Sequence, residues 1–438
     1  MPAAKGNSLG KLTELRQRIF FVIGALIVYR LGSFIPVPGV NPEAMTNLIG
    51  QSGGLLDMFN MFSGGSLGRF SVFALGVVPY ISASIVVQMM GSVIPSLQQL
   101  RKEGEAGRRT MTMYTRFGTV GLSAFQAFGI AMALQKQTAV GGVPVVYTPG
   151  MGFVLASVVG LTAGSMFLMW LGEQMTERGI GNGISLLIFA GIVAGLPAAV
   201  VHTLGMSSNG ELSVIQMLMV AGLILAVTAF CVFMERAQRR ITVNYARRSG
   251  GQRAYMNQTS HLPLKINMAG VIPPIFASSL LMFPATAATW FSAGHQSRWL
   301  QDLTQALTVG EPLWDIVYAV LVITFAFFYT AIVFNAQETA DNLKRSGALI
   351  PGIRPGRSTA DYIDAVMTRL TGVGAVYLVL VCLVPTFMQN AWHVPFYFGG
   401  TSLLIVVVVV MDFTAQIQAH LVSHQYEGLL KKANLRRG

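Results

Sequence analysis

Charge is scarce in this sequence. Only 11% of its 438 residues are charged, with 18 acidic against 30 basic. A water-soluble surface needs roughly a quarter of residues charged, so two or three soluble domains are excluded. Cysteine is nearly absent. Cys231 and Cys382 both fall inside apolar stretches, where they act as small apolar side chains and make neither a disulfide framework nor a metal site. No G-x-x-x-x-G-K-[ST] or H-E-x-x-H sequence occurs and no G-x-S-x-G marks a catalytic site, so nucleotide hydrolysis and the commonest hydrolytic centres are missing. Gly179, Gly181 and Gly183 imitate a dinucleotide loop, but they follow Arg178 and an apolar stretch with no βαβ context. Ionisable groups at membrane depth are costly and persist for function, as in coupled carriers. Here Glu173, Glu235 and Asp412 lie near the ends of apolar stretches and Arg30 toward one interface. Any work the chain performs must draw its energy from elsewhere.

What is present is apolar sequence, 53% of the chain. A bilayer core about 30 Å thick takes roughly 20 apolar residues per helix. Ten such stretches lie near 19–35, 75–95, 114–134, 153–171, 184–200, 214–233, 268–291, 313–334, 370–387 and 396–416. They are too long and too uniformly apolar for barrel strands, so the expected fold is an all-α membrane bundle of ten transmembrane helices. Lys11, Glu14, Arg16 and Arg18 lead into the first stretch with no small-residue cleavage site behind it. That stretch is expected to be retained rather than removed as a signal.

Numbering the stretches one to ten puts every Lys and Arg on one side of the membrane except Arg30, Arg69, Lys136 and Arg298. The positive-inside rule then predicts both termini in the cytoplasm. Topology alone demands basic cytoplasmic loops, so the net charge of +12 is not by itself a nucleic-acid signal. Two cytoplasmic connections, 235–265 and 335–369, are far longer than the two to eight residues roughly usual between bundle helices. In the first, Arg247, Arg248 and Arg253 alternate with Tyr245 and Tyr255, which suits RNA phosphates or an acidic protein face. In the second, Pro351, Gly352, Pro355 and Gly356 make a stiff turn with Arg354 at its tip. A bare structural turn is the alternative reading.

Five helices per half, an odd number, means a second half resembling the first would be inverted, with a cavity between them. The division expected is 1–207 and 208–438, with a hinge in the external connection at 202–213. Between the first two spans, 55–71 (LLDMFNMFSGGSLGRFS) is apolar, too short to cross, and broken by Gly64, Gly65 and Gly68. It reads as a re-entrant or surface segment, and a re-entrant one implies a cavity. Gly160/Gly164 and Gly191/Gly195 suit close helix packing. Pro79, Pro273 and Pro274 interrupt spans two and seven, as bends of moving or of static helices.

Several collinear motifs then carry a resemblance: NMFSGG (60–65), FALGVVPYISASI (73–85), KEGEAGRR (102–109), MTERGIGNGIS (175–185), NMAGVIPPIFASS (267–279), PGIRPG (351–356) and PFYFGGTSLLIVVVVVMDF (395–413). Together they resemble the SecY family, the channel subunits of bacterial protein translocons, most closely its proteobacterial branch. The resemblance implies two inverted pseudo-symmetric five-helix halves around a central pore with a re-entrant plug, in the cytoplasmic (inner) membrane. It implies SecE and SecG subunits, the SecA motor ATPase and the ribosome as partners, preprotein signal sequences as clients, no cofactor, no metal and no catalytic residue.

By motif position the pore ring is Val77, Ile81, Ile184, Ile188, Ile275 and Ile405; Val77 departs from the family's usual isoleucine. The plug holds Asn60, Phe62, Gly64, Gly65 and Arg69. Candidate polar residues of a lateral gate formed by spans two, three, seven and eight are Ser82, Gln88 and Ser279. SecA and ribosome docking falls to Arg247, Arg248, Arg253 and Arg354. Two other readings stand beside the channel: a secondary solute transporter of inverted-repeat fold, which midplane charge would mark, and a ribosome anchor, which leaves segment 55–71 unexplained.

Overall fold

The computed structural model describes all residues except 1–5, 53–59, 61–62, 136–143, 209–212, 246–258, 282–305, 307–310, 393–399 and 435–438. Its helices are α1 (Gly6–Gly32), α2 (Pro42–Ser52), α3 (Val78–Val93), α4 (Pro95–Lys102), α5 (Glu105–Leu134), α6 (Met151–Arg178), α7 (Gly183–Ser208), α8 (Val214–Arg236), α9 (Ile272–Leu281), α10 (Pro312–Val333), α11 (Ala336–Arg345), α12 (Arg357–Trp392) and α13 (Gly400–Asn434). The strands are β1 (Gln238–Tyr245), β2 (Thr259–Lys265) and β3 (Ala348–Leu349).

Among the described residues, α5, α6, α7, α8, α10, α12 and α13 are long and apolar enough to cross a membrane. The remaining three expected spans meet α1, which carries Arg16, Arg18 and Arg30, and the two shorter helices α3 and α9. Residues 282–291 of the expected seventh span lie outside the described residues. Helix ends follow local chemistry rather than the edge of the apolar run. Pro79 sits in the first turn of α3, where its missing N–H costs nothing. Ser213 and Gln216 close a reciprocal capping box at the start of α8. The helices α6, α12 and α13 extend well past the apolar stretches that marked them, because hydropathy reports lipid depth and not where backbone hydrogen bonding stops.

The chain divides into two compact units, one of Met1–Leu212, Ser279–Glu311 and Ile405–Gly438, the other of Ser213–Ser278 and Pro312–Leu404. In the first, α6 packs on α5 and α7, and α3 on α5. Its buried core runs from Val37, Val40 and Met45 through Leu67 and Phe70 to Ala127, Ala131, Phe153 and Leu161. Glycine allows the closest approaches. A Cβ on Gly164 would stand 2.0 Å from the Val72 carbonyl oxygen, and one on Gly183 2.1 Å from that of Gly172. Of the two paired motifs, Gly164 and Gly191 are packing glycines, whereas Gly195 has nothing within 4 Å.

The second unit packs α10 and α11 on α12, and holds a three-stranded sheet of order β2-β1-β3. The all-α expectation holds for the apolar helices and omits this sheet, which occupies both long connections. Strand β1 pairs antiparallel with β2 from Gln238↔Lys265 to Asn244↔Thr259, and with β3 at Asn244↔Leu349 and Tyr245↔Ala348. Ile241 and Val243 alternate inward and join Leu264, Ala348 and Ile350 on Ile363 and Met367 of α12. The connections are therefore long because they build a platform with its own core. Ile241→Asp is expected to put an unpaired charge into that core at a cost of more than about 2 kcal/mol. Limited proteolysis should then cut the 238–265 hairpin much faster while the apolar helices stay protected.

Candidate pore and plug segment

Within the first unit, residues 63–70 fold as a run of turns instead of a helix. Gly64 and Gly65 adopt φ of 68° and 80°, a left-handed conformation that costs glycine little. A Cβ on Gly64 would also press to 3.0 Å on Gly191 Cα. Phe70 takes φ 47° without being glycine; it is fully buried and tilts against Phe153, packing that offsets the strain.

Backbone at membrane depth must find its partners within the protein. Here it does. The Asn60 carbonyl accepts from Gly65 N at 2.7 Å and its side-chain oxygen from Gly68 N at 2.8 Å. From α1, Tyr29 donates its hydroxyl to the Ser63 carbonyl at 3.2 Å and Arg30 donates to the Gly64 carbonyl at 2.7 Å. Thr46 of α2 donates to the Gly68 carbonyl, and across a short antiparallel bridge Val37 N–H donates to the Phe70 carbonyl and Val72 N–H to the Ile35 carbonyl. The segment is thus a compact knot, held chiefly by the end of α1 and the chain that follows it. Phe62 lies outside the described residues.

The six aliphatic residues fall on four helices or their caps. Val77 caps α3, and Ile81 donates its N–H to the Val77 carbonyl at 3.0 Å, one turn further on. Ile184 and Ile188 stand one turn apart on α7. These four and Ile405 belong to the first unit and Ile275 to the second. Ile405 is 0% exposed; Val77, Ile81 and Ile188 are buried, and Ile184 and Ile275 half-buried. Among the candidate gate residues, Gln88 donates to Ser84 at 3.0 Å, Ser279 is buried and Ser82 half-buried.

Arg354 is exposed at a turn whose backbone is fastened. Its carbonyl accepts the Thr359 hydroxyl at 2.9 Å, and Gly352 and Gly356 take φ of 82° and 111° around it. The turn holds the backbone while the guanidinium faces outward. Arg247, Arg248 and Arg253 lie outside the described residues.

Sequence reasoning missed two polar fixtures. Arg116 of α5 grips both carboxylate oxygens of Glu173 on α6, at 2.6 and 3.3 Å; the signal was an Arg and a Glu at matching ends of neighbouring apolar stretches. Asn267 donates to Glu235 Oε1 at 2.6 Å and to the Gly270 carbonyl at 3.2 Å, and accepts from Gly270 N. It joins the end of α8 to the approach of α9, and its signal was the NMAG tetrad. Gly179–Gly183, meanwhile, is a helix-joining turn: Arg18 donates to the Gly179 carbonyl, and Asn182 shares an open recess with Asp412 and Gln416.

A polytopic helical chain with a non-helical segment buried against its first helix defines a class, the membrane channels built around a plug. Solved structures of that class share the fold. A SecY channel whose plug domain stabilises the closed state of the translocation channel and maintains a membrane seal matches with a TM-score of 0.66 at 16% identity, covering 94% of this chain and 93% of that one. Sec61 in the canine ribosome-channel complex from the endoplasmic reticulum matches with a TM-score of 0.64 at 14% identity, over 94% and 93%. The protein translocase subunit SecY of Escherichia coli (strain K12) is 58% identical over 431 residues, 98% of this chain and 97% of the relative. The SecY family model matches residues 71–414. The chain belongs to the SecY family: it is a membrane protein and a channel subunit, not an enzyme.

Proposed function

We propose that this chain is the protein-conducting channel of a translocon in the cytoplasmic membrane, with both termini in the cytoplasm. It passes unfolded preproteins across the membrane and releases membrane helices sideways into lipid. The observation that carries this reading is the largely buried turn segment 63–76, tied to α1 by Tyr29 and Arg30. A solute carrier of inverted-repeat fold has no use for such a stopper, and the apolar stretches lack its midplane charge.

In this reading the halves are 1–207 and 208–438. Val77, Ile81, Ile184, Ile188, Ile275 and Ile405 form the constriction, and Asn60, Phe62, Gly64, Gly65 and Arg69 belong to the plug. Branched aliphatic side chains seal against ions because a narrow apolar passage dewets, and they offer a passing polypeptide no fixed hydrogen-bonding group. Ser82, Gln88 and Ser279 line the lateral gate. The small subunits SecE and SecG accompany the chain. The ribosome, a partner of the Sec61 neighbour, and the SecA motor dock on the basic platform through Arg247, Arg248, Arg253 and Arg354. Energy comes from these partners.

Asparagine at both Ile188 and Ile275 is expected to raise the resting ion conductance of planar bilayers at least about tenfold, since two amides hydrate a dewetted constriction. Unchanged conductance would remove both residues from the ring. The function itself is tested by reconstituting the chain with SecE and SecG in proteoliposomes, supplying SecA, ATP and a signal-bearing preprotein, and scoring protease protection. Protected preprotein is the expected result; none, with the complex intact, sinks the proposal.

A further inference from the structure

Arg30 and Arg69 share one aromatic ring. The Arg30 Cζ lies 4.9 Å from the Phe34 centroid and the Arg69 Cζ 4.2 Å, so the two guanidiniums are no further apart than those distances together. Arg30 uses one N–H on the Gly64 carbonyl. In Arg69 the Nη1 is buried and, among the described residues, has no hydrogen-bond partner. Among the described residues the ion pairs are Arg18–Glu14 and Arg116–Glu173, so neither of these arginines meets a carboxylate. A guanidinium presents five donors, and leaving one buried and idle beside a second cation is unfavourable unless an anion completes the group.

The surroundings indicate which anion. Arg30 stands in the last turn of α1, where the apolar stretch ends. Beside it Leu31, Phe34 and Ile35 are 65%, 50% and 57% exposed, and in a membrane-spanning chain such a face is solvated by acyl chains. Two cations at the end of an apolar stripe match a phospholipid, with the phosphate on the guanidiniums and the chains along Leu31 and Ile35.

We propose that Arg30, Arg69 and Phe34 form a binding site for the phosphate of a phospholipid headgroup. Rotation of the Arg69 guanidinium brings its buried, unpartnered Nη1 out to donate to a phosphate oxygen, and Arg30 adds its charge while keeping the Gly64 carbonyl. Arg69 belongs to the turn segment and Arg30 holds it, so an occupied site anchors that segment at the membrane interface. Only the consequence for plug movement rests on the channel reading; the site itself stands without it.

The test uses the full-length chain with its partner subunits in nanodiscs that carry one of two photoactivatable lipids. One is a phosphatidylglycerol; the other is a glycolipid with the same chains and no phosphate. Labelled peptides are mapped by mass spectrometry. Phosphatidylglycerol is expected to label the 31–35 region at least about fivefold more than the glycolipid, because charge-assisted bonds to phosphate outlast nonspecific lipid contact. Arg69→Gln should remove that excess and Arg69→Lys should retain part of it. Thr46→Val, which loosens the same segment without touching either arginine, should keep it in full. Equal labelling by both lipids, an excess that survives Arg69→Gln, or one that Thr46→Val also abolishes would overturn the proposal. So would suppression by about 10 mM inorganic phosphate, which would make the site one for small anions whose charge is only partly screened. No transport step enters the readout, so its failure and the failure of the channel reading are separable.

Discussion

Gly164→Val is expected to destabilise the first unit by about 3 kcal/mol or more and, in chains that still insert, to make the closed channel leak ions. The alanine Cβ alone would stand 2.0 Å from the Val72 carbonyl oxygen and 2.8 Å from its carbon, and valine adds two methyls. Backbone cannot yield as a flexible side-chain end does. Val72 is moreover bonded through its N–H to the Ile35 carbonyl, so pushing it away drags the strand-like link behind the turn segment. The measurement is the midpoint of thermal unfolding of the detergent-solubilised complex, followed by conductance in planar bilayers. Gly195→Ala is the control. With nothing within 4 Å of its Cβ position, a helical alanine there should stay within about 1 kcal/mol of the parent and lean to the stable side. Equal effects of the two changes would show that the close approach of α6 to Val72 does not position the segment.

Arg354→Glu is expected to reduce SecA-driven preprotein transport by at least about a hundredfold while leaving the chain inserted and assembled, because it replaces attraction by repulsion at the docking contact proposed for it. The separation of effects follows from the geometry. The backbone of the turn is held by the Thr359 hydroxyl and by glycines at positive φ, none of which uses the Arg354 side chain. Arg354 itself is exposed, so the substitution opens no buried space. Transport is read by protease protection and assembly by co-purification of the partner subunits. Loss of assembly would make the turn a structural element, and undiminished transport would move docking elsewhere on the platform.

The apolar helices were legible because the bilayer imposes a length on them, and each of the ten apolar stretches meets a helix among the described residues, with α3 shorter than expected. Glycines 64, 65 and 68 marked the break in the segment after α1, and Gly64 and Gly65 take the positive φ that leaves a compositional trace. Its fastening did not: that Tyr29 and Arg30 donate to Ser63 and Gly64 depends on the pitch of α1 meeting a turn some thirty residues later, and no local pattern encodes it. The sheet was missed for a related reason. Ile241 and Val243 alternate over too short a run to stand out beside Arg239 and Arg240, and the strand completing the sheet, β3, arrives about a hundred residues later with two residues. The apolar ring is the extreme case. Nothing distinguishes Ile188 or Ile405 from lipid-facing isoleucines by composition, so the role proposed for them rests on motif position alone.

The most direct test of a polypeptide path through this chain is a photo-crosslinker placed at Ile405, a residue with no exposed surface, and activated while a preprotein is arrested midway through transport. The account predicts that the arrested preprotein becomes crosslinked at this position, and that the adduct disappears when the preprotein is released or SecA is omitted. Crosslinks to lipid or to neighbouring helices alone, with the preprotein demonstrably arrested in the same vesicles, would contradict it.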